Sequence, residues 1–517
     1  MGSSVFICVH LWLIETVILP LSACAPDDRV VAMKADKAVR RDLDLVRRLC
    51  ALARRRGAGF AEARTSHGSS AGLSVQDGRA ERMAAGTVSG CCVRVIVDER
   101  WGFASTDGTS ARQAQAALDA ALAMARAGRR LGRPAAVAAS PAAGEEPVLA
   151  GADAGEASAA SGSELASWAR LLLGMEREAR ARAGRRAANT MASFSRNAGW
   201  MTVANSQGLA RARSAGRSTA AVMAVVAEGG RGIQRWTERA GRTGPGDLLA
   251  ELAAAGIARL AAERALAVLR ARPAPGGSFP VILDPATAGV FVHECLGHNA
   301  EADLVLSGQS LLDGRLGRRL APARVTVVDD PTVPGAFGSY EFDSEGTPAR
   351  RTEIISRGVL RTYLHSLETA ARCRTAPTGH GRAEGYGAPP LVRMSNTFFA
   401  PGEDRLEDMI RGVRRGLLLE HGSSGQVLSE RGHYTVSAGC GRLIENGRLG
   451  ELVRDASFSG MVLESLRDID AVSRDFRLES PGYCGKDGQE VPVDDGGAYV
   501  RLRRVVVGGQ GRWPGRP

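Results

Sequence analysis

The chain has 517 residues and a mass of 54.3 kDa, too long for one ordinary domain and long enough to bury a large core without disulfide staples. Hydrophobic residues at 44% and charged residues at 24% exclude wholesale disorder. Of the 67 basic residues only Lys34, Lys37 and Lys486 are lysines, so the formal charge of +11 reads as an arginine bias spread along the chain. Such a charge bears on solubility and non-specific attraction, not on fold.

At the amino terminus, an apolar run over 5–21 is broken by Glu15 and has no Lys or Arg before it. Leu21-Ser22-Ala23-Cys24 fits a lipoprotein cleavage box, but a secretory signal needs a basic start and an uninterrupted apolar stretch. Residues 1–32 are therefore read as a non-native or disordered extension, with Met33 as the alternative start. No later segment approaches the ~20 apolar residues of a spanning helix. The nine cysteines are odd in number and scattered, which points to free thiols in a reducing compartment, the cytoplasm.

From Asp42, the spacing of Leu43, Val46, Leu49, Cys50 and Leu52 predicts an amphipathic helix. Short strands are expected at 60–64, 71–77 and 90–97, and a second helix at 113–127, which together make an α+β lobe over 33–130. Residues 131–162 are rich in Ala, Gly, Ser and Pro and read as a flexible linker. A central α+β lobe follows over 163–272. It opens with a helix at 163–182, continues with strand pieces at 191–195, 201–204 and 218–226 around an Asn205–Gly208 turn, and closes with a helix over 246–272. Beyond Phe279 strands and hairpins dominate, including 325–329 and 359–364. The fold class expected is α+β, a mixed N-terminal half of two small α/β lobes followed by a strand-rich C-terminal catalytic domain over 277–510.

Chemistry concentrates after the strand-like 279–283, in His293-Glu294-x-x-x-His298. Two imidazoles with a carboxylate beside the first suit a hydrolytic metal site, the histidines as ligands and Glu294 as the group that takes a proton from water and returns it to a leaving amine. The spacing is one residue longer than the H-E-x-x-H pattern. On an α-helix, positions i and i+4 lie ~40° apart, but i and i+5 lie ~140° apart. An undistorted helix cannot aim both rings at one ion, so irregular backbone is expected at Leu296-Gly297. A catalytic zinc usually takes a third protein ligand, and Cys484, in the Gly-rich Gly482–Gly488 segment read as a turn, is the candidate. Cys295 reads as a core thiol. His365, His380, His421 and His433 stand alone in sequence.

Taken together, these blocks resemble the TldD/PmbA family of metalloproteases. His293-Glu294-Cys-Leu-Gly297-His298-x-x-Glu301-x-Asp303 is similar to the metal signature of the TldD branch. Further matching blocks are Asp343–Pro348, Pro377–Gly381, Arg393–Thr397 and Tyr483–Gly488, with Gly90–Arg94, Trp101–Phe103 and Ala204–Gly208 in the N-terminal half. The resemblance implies zinc held by His293, His298 and Cys484, Glu294 as general acid/base, and peptidase activity on small, unfolded or modified peptides. It also implies a homodimer or a heterodimer with a PmbA (TldE)-type subunit that lacks the metal motif. Cys295 and Ala302 depart from the signature.

Glu301 and Asp303 are read either as acceptors that orient the ligating imidazoles or as surface or cap residues. The Arg393–Thr397 block either lines a peptide groove or packs a turn and strand. Arg40-Arg41, Arg54–Arg56 and Arg185-Arg186 lack interleaved aromatics and read as solvated surface, so no specific nucleic acid is expected, and no membrane. The alternative functions are a non-catalytic peptide-binding or assembly subunit with a structural metal, and, further off, a DNA-associated regulator.

Overall fold

The structure, a computed structural model, describes residues 29–128, 134–141, 148–150, 160–244 and 246–513. The Leu21–Cys24 box lies outside them. Helix α1 (Arg29–Arg55) begins well before Asp42, and its Leu43, Val46, Leu49 and Cys50 are buried as their spacing demands. The three short strands expected next are long: β1 (Phe60–Gln76), β2 (Arg79–Val97) and β3 (Arg100–Asp107). The first half of β2 is exposed on both faces, so no alternation of apolar and polar residues marks it, yet its ladder to β1 continues without a break from Gly68↔Val88 to Ser74↔Arg82. Asp77-Gly78 (φ 48° and 80°) and Asp98-Glu99 (φ 47° and 62°) close these hairpins in two-residue turns with positive φ at both centres.

Helix α2 (Ala111–Ala127) is capped by Ser110. Parts of the expected linker are anchored. Ser140 N–H donates to Gln207 Oε1 (2.7 Å), Asn205 Nδ2 donates to Ser140 Oγ (2.6 Å), and β4 (Val148–Ala150) pairs with a strand of the central lobe. The rest of that segment lies outside the described residues. Helix α3 (Gly162–Ala183) starts in a capping box of Ser161 and Glu164. The strand pieces expected in the central lobe are continuous strands, β5 (Ala187–Asn205), β6 (Ala210–Glu228) and β7 (Gly232–Thr243). The helix expected over 246–272 is two, α4 (Leu248–Ala254) and α5 (Ile257–Arg270), separated at Gly256, whose φ of 70° an α-helix cannot contain. Because β1 pairs with β5, the two lobes share one seven-stranded sheet, β3-β2-β1-β5-β6-β4 with β7 on β6. Separate apolar cores form beneath α1/α2 and beneath α3–α5.

The C-terminal half is built on a twelve-stranded sheet. Its long strand Gln489–Gly508 pairs in parallel with Asn396–Phe399 and antiparallel with Gly277–Leu283 and Ile469–Lys486. Helix α6 (Pro285–Val292), apolar all round and buried throughout, packs on this strand. Asp284 caps it through Thr287 N–H (2.8 Å) and Pro285 sits at its first turn. Gly289 meets the Gly496 backbone so closely that any Cβ would collide with it. The helix therefore lies tight on the sheet, which fixes where its C-terminal end points.

Candidate metal centre

At the end of α6 the backbone leaves the α-helix. His298 N–H donates to His293 O, a π turn spans His293–Gly297, and a single 3₁₀ turn follows over His298–Ala300. An i→i+5 hydrogen bond places positions five apart on one side, which an α-helix would not do. The two rings lie 5.1 Å apart at 86°. A Cβ at Gly297 would collide with Met394 Sδ, so the close seat of this turn needs the glycine. The irregularity expected at Leu296-Gly297 is present and extends back to His293.

Cys484 lies near the end of a strand, not in a turn; the turn is Asp487-Gly488 (φ 50° and 75°), after the Lys486↔Gln489 pair. Its Sγ is 3.6 Å from His298 Nε2. Among the described residues, His293, His298 and Cys484 form a group of three metal-type side chains with ligand atoms within 4.8 Å of one another, all buried. Each imidazole is fixed from behind: His293 Nδ1 pairs with Asp495 Oδ1 (2.9 Å) and His298 Nδ1 with Glu301 Oε2 (3.1 Å). Those contacts place the proton on Nδ1 and turn both Nε2 atoms toward the sulfur. His293 Nε2 and Glu294 Oε1 are buried atoms without a hydrogen-bond partner. Two imidazole nitrogens, one of them the orphaned His293 Nε2, and a thiol fit a zinc-type ion.

The electrostatics agree. Burial works to lower the His298 imidazole, yet Cys484 and Glu301 hold it up at about 10. His293 is likewise raised against its burial, by Asp495 and Cys484. Burial alone would raise the Cys484 thiol, but His298 and His293 bring it well below its ordinary value. Thiolate facing imidazolium is a charge arrangement that a bound cation can replace, with release of the protons. Burial pushes Glu294 up to about 7 against the pull of both histidines. For Glu301 burial is outweighed by Lys486 and His298, which hold it near 2.

Two residues to which the sequence assigned no role, with Arg393 of the Arg393–Thr397 block, complete the surroundings. Asp495 is one. Lys486 is the second: its ammonium donates to Glu301 Oε2 (3.1 Å), Asp303 Oδ1 (2.7 Å) and Val392 O (3.0 Å). Asp303 thus does not touch an imidazole and reaches the centre only through Lys486. Arg393, fully buried, donates to the Cys484 carbonyl and to Gln489 O (3.1 Å), which ties down both strands of the hairpin. The Arg393–Thr397 block therefore packs, with Asn396 Nδ2 donating to Asp330 O (2.6 Å). Cys295 is buried in the core, as expected. None of His365, His380, His421 and His433 belongs to the group, and Arg40, Arg41, Arg54, Arg55 and Arg185 are exposed.

Comparison with known proteins shows the family. Family models match in three consecutive segments: PmbA/TldA metallopeptidase domain 1 at 61–127, the central domain at 157–269 and the C-terminal domain at 276–509. A metalloprotease of Methanothermobacter thermautotrophicus is 36% identical over 87% of this chain and 95% of its own length. A metalloprotease of Methanocaldococcus jannaschii is 50% identical over 48% of this chain, and the match spans 55% of that protein. The crystal structure of TldE from Thermococcus kodakarensis superposes with a TM-score of 0.71 over 90% of this chain and 100% of its own, at 19% identity, which speaks to the fold alone. The match over 87% of the chain and the three domain matches make the chain a member of the PmbA/TldD metallopeptidase family.

Proposed function

We propose that the chain is a zinc-dependent peptidase, the TldD-type catalytic subunit, acting on small, unfolded or modified peptides. The observation that carries this reading is His293 Nε2, a buried nitrogen without a partner that shares one small volume with His298 and Cys484. Bound there, the ion would polarise a peptide carbonyl and make water acidic enough to attack it at neutral pH. Glu294 serves as general acid/base through Oε1, a buried oxygen without a partner that is open to take a proton and give it back to the departing amine. Asp495 and Glu301 hold the ring orientations, and Lys486 keeps Glu301 ionised.

Membership of a family that includes TldE-like folds supports assembly as a homodimer or with a PmbA (TldE)-type subunit. A cytoplasmic setting suits the cysteines: among the described residues none forms a disulfide, and no helix is long and apolar enough to cross a membrane. The test is metal content of the wild type and of Cys484→Ser, read beside peptide cleavage with and without chelator. Loss of zinc in the variant, and cleavage abolished by chelation and restored by zinc, are expected. Full zinc occupancy in Cys484→Ser would remove Cys484 from the site, and chelator-resistant cleavage would refute the reading.

A further inference from the structure

A cavity of about 280 Å³ lies between the seven-stranded sheet and the C-terminal half. Its position follows from strand alternation. On β6, Arg213, Ala215 and Arg217 fall on one face, opposite Met201, Gly199 and Asn197 of β5. Between the two arginines on that face of β6 stands only the small side chain of Ala215. Arg382 of the C-terminal half also lines the cavity, and each guanidinium feels another: burial, and after it repulsion from Arg213 and Arg382, brings Arg217 down to about 9.

Arg217 and Arg382 meet backbone carbonyls, and Arg213 has one carboxylate, Glu341, within 4.0 Å. Arg217 donates from Nε to Phe337 O and from Nη2 to Ser339 O, both at 2.9 Å. Arg382 donates to Pro492 O (2.8 Å) and to Met394 O. Arg213 Nε and Nη1 are buried without a hydrogen-bond partner, and Glu341, half exposed, stands 4.0 Å from Nη1. Asp343 lines the cavity too, but its oxygens already accept from the N–H groups of Glu345, Thr347 and Gly381. Three converging guanidiniums, with the half-exposed Glu341 at 4.0 Å from one of them and Glu384 also on the cavity wall, are costly to bury unless a further anion joins them. Planar donor forks are also what a carboxylate calls for.

The cavity is not lined by the metal-type side chains themselves and approaches them through one neighbour of Cys484. Val491 lines it and is the cross-strand partner of Cys484, so the two side chains share a face. We infer that Arg213, Arg217 and Arg382 form a subsite for a carboxylate of the peptide substrate, an acidic side chain or the C-terminal carboxylate, a few residues from the bond that is cut. This rests on the peptidase reading and names what the substrate presents there: a carboxylate.

The test measures binding rather than turnover. Fluorescein-labelled Ala/Gly octapeptides with a central Glu or Gln, each ending in carboxylate or carboxamide, are titrated by anisotropy into the zinc-loaded Glu294→Gln protein at fixed salt. The peptide with the matching carboxylate is expected to bind about 10-fold tighter than its neutral counterpart, and the Glu and C-terminal arms show which carboxylate is read. Adding Arg213→Gln should collapse that ratio to about twofold or less, and Arg213→Lys should restore part of it. Equal affinity for all four peptides, or an unchanged ratio in Arg213→Gln, would overturn the subsite. Failure of the wild type to cleave any of the four would count against the peptidase reading alone, since the binding ratio decides the subsite.

Discussion

Replacing Asp495 by alanine removes the acceptor 2.9 Å behind His293 Nδ1 and leaves the ligand set itself intact. Both side chains are 1% exposed, so no solvent screens the pair and no water stands ready to replace the carboxylate. A charge-assisted hydrogen bond of this kind contributes about 1.5–3 kcal/mol. Removing such an acceptor behind a metal-binding histidine lowers metal affinity about 10–100-fold, or about 1.4–2.7 kcal/mol, and the two magnitudes agree. Asp495→Asn keeps a neutral acceptor and should fall at the low end. The assay is competition for zinc against a chromophoric chelator near neutral pH, with far-UV circular dichroism of the zinc-free proteins to show that the fold is retained. Affinities of both variants within about twofold of wild type would refute the idea that the carboxylate tunes the site.

Lys486→Met removes one of the two cations beside the fully buried Glu301 and leaves Arg393 Nε at 3.9 Å, so it should destabilise the protein by less than the about 3–5 kcal/mol of an uncompensated buried charge and should weaken zinc binding; an unchanged denaturation midpoint with full zinc would contradict this. The pH dependence of stability should carry a contribution from Glu479, which burial, only partly offset by Arg477, raises from 4.5 to about 8. The folded chain keeps a proton there that the unfolded chain releases near 4.5, so this contribution falls as pH rises from about 4.5 to about 8. Glu479→Gln should flatten the fall in thermal midpoint across that window, and an identical pH profile would show that Glu479 is not its source.

The metal motif was legible because it is local: residues five apart carry both the chemistry and the need for a distorted helix, and the π turn at His293–Gly297 supplies that distortion. Asp495 was not legible, since what brings it to His293 is the packing of α6 on the strand Gln489–Gly508. Lys486 carries a signal in its position: in a chain with three lysines, one falls two residues from Cys484. An ammonium with three donors suits the three acceptors it meets there. Cys484 was placed in a turn because of its flanking glycines, whereas Asp487-Gly488 is the pair that adopts the hairpin turn. Strand lengths in the N-terminal half were underestimated because stretches such as the first half of β2 face solvent on both sides, where neither face needs apolar residues. The anchoring of Ser140 by Asn205 and Gln207 depends on contacts some 65 residues apart, which composition does not encode.

The most direct measurement is zinc content and peptide hydrolysis on the same preparation of Glu294→Ala. The side chain holds no ligand position in the His293–His298–Cys484 group, and its Oε1 is without a partner, so removing it should leave the ion in place. Zinc retained at the wild-type ratio with hydrolysis lost is the expected result. Hydrolysis that persists at the wild-type rate would contradict the role of Glu294 as general acid/base, and with it the proposed chemistry.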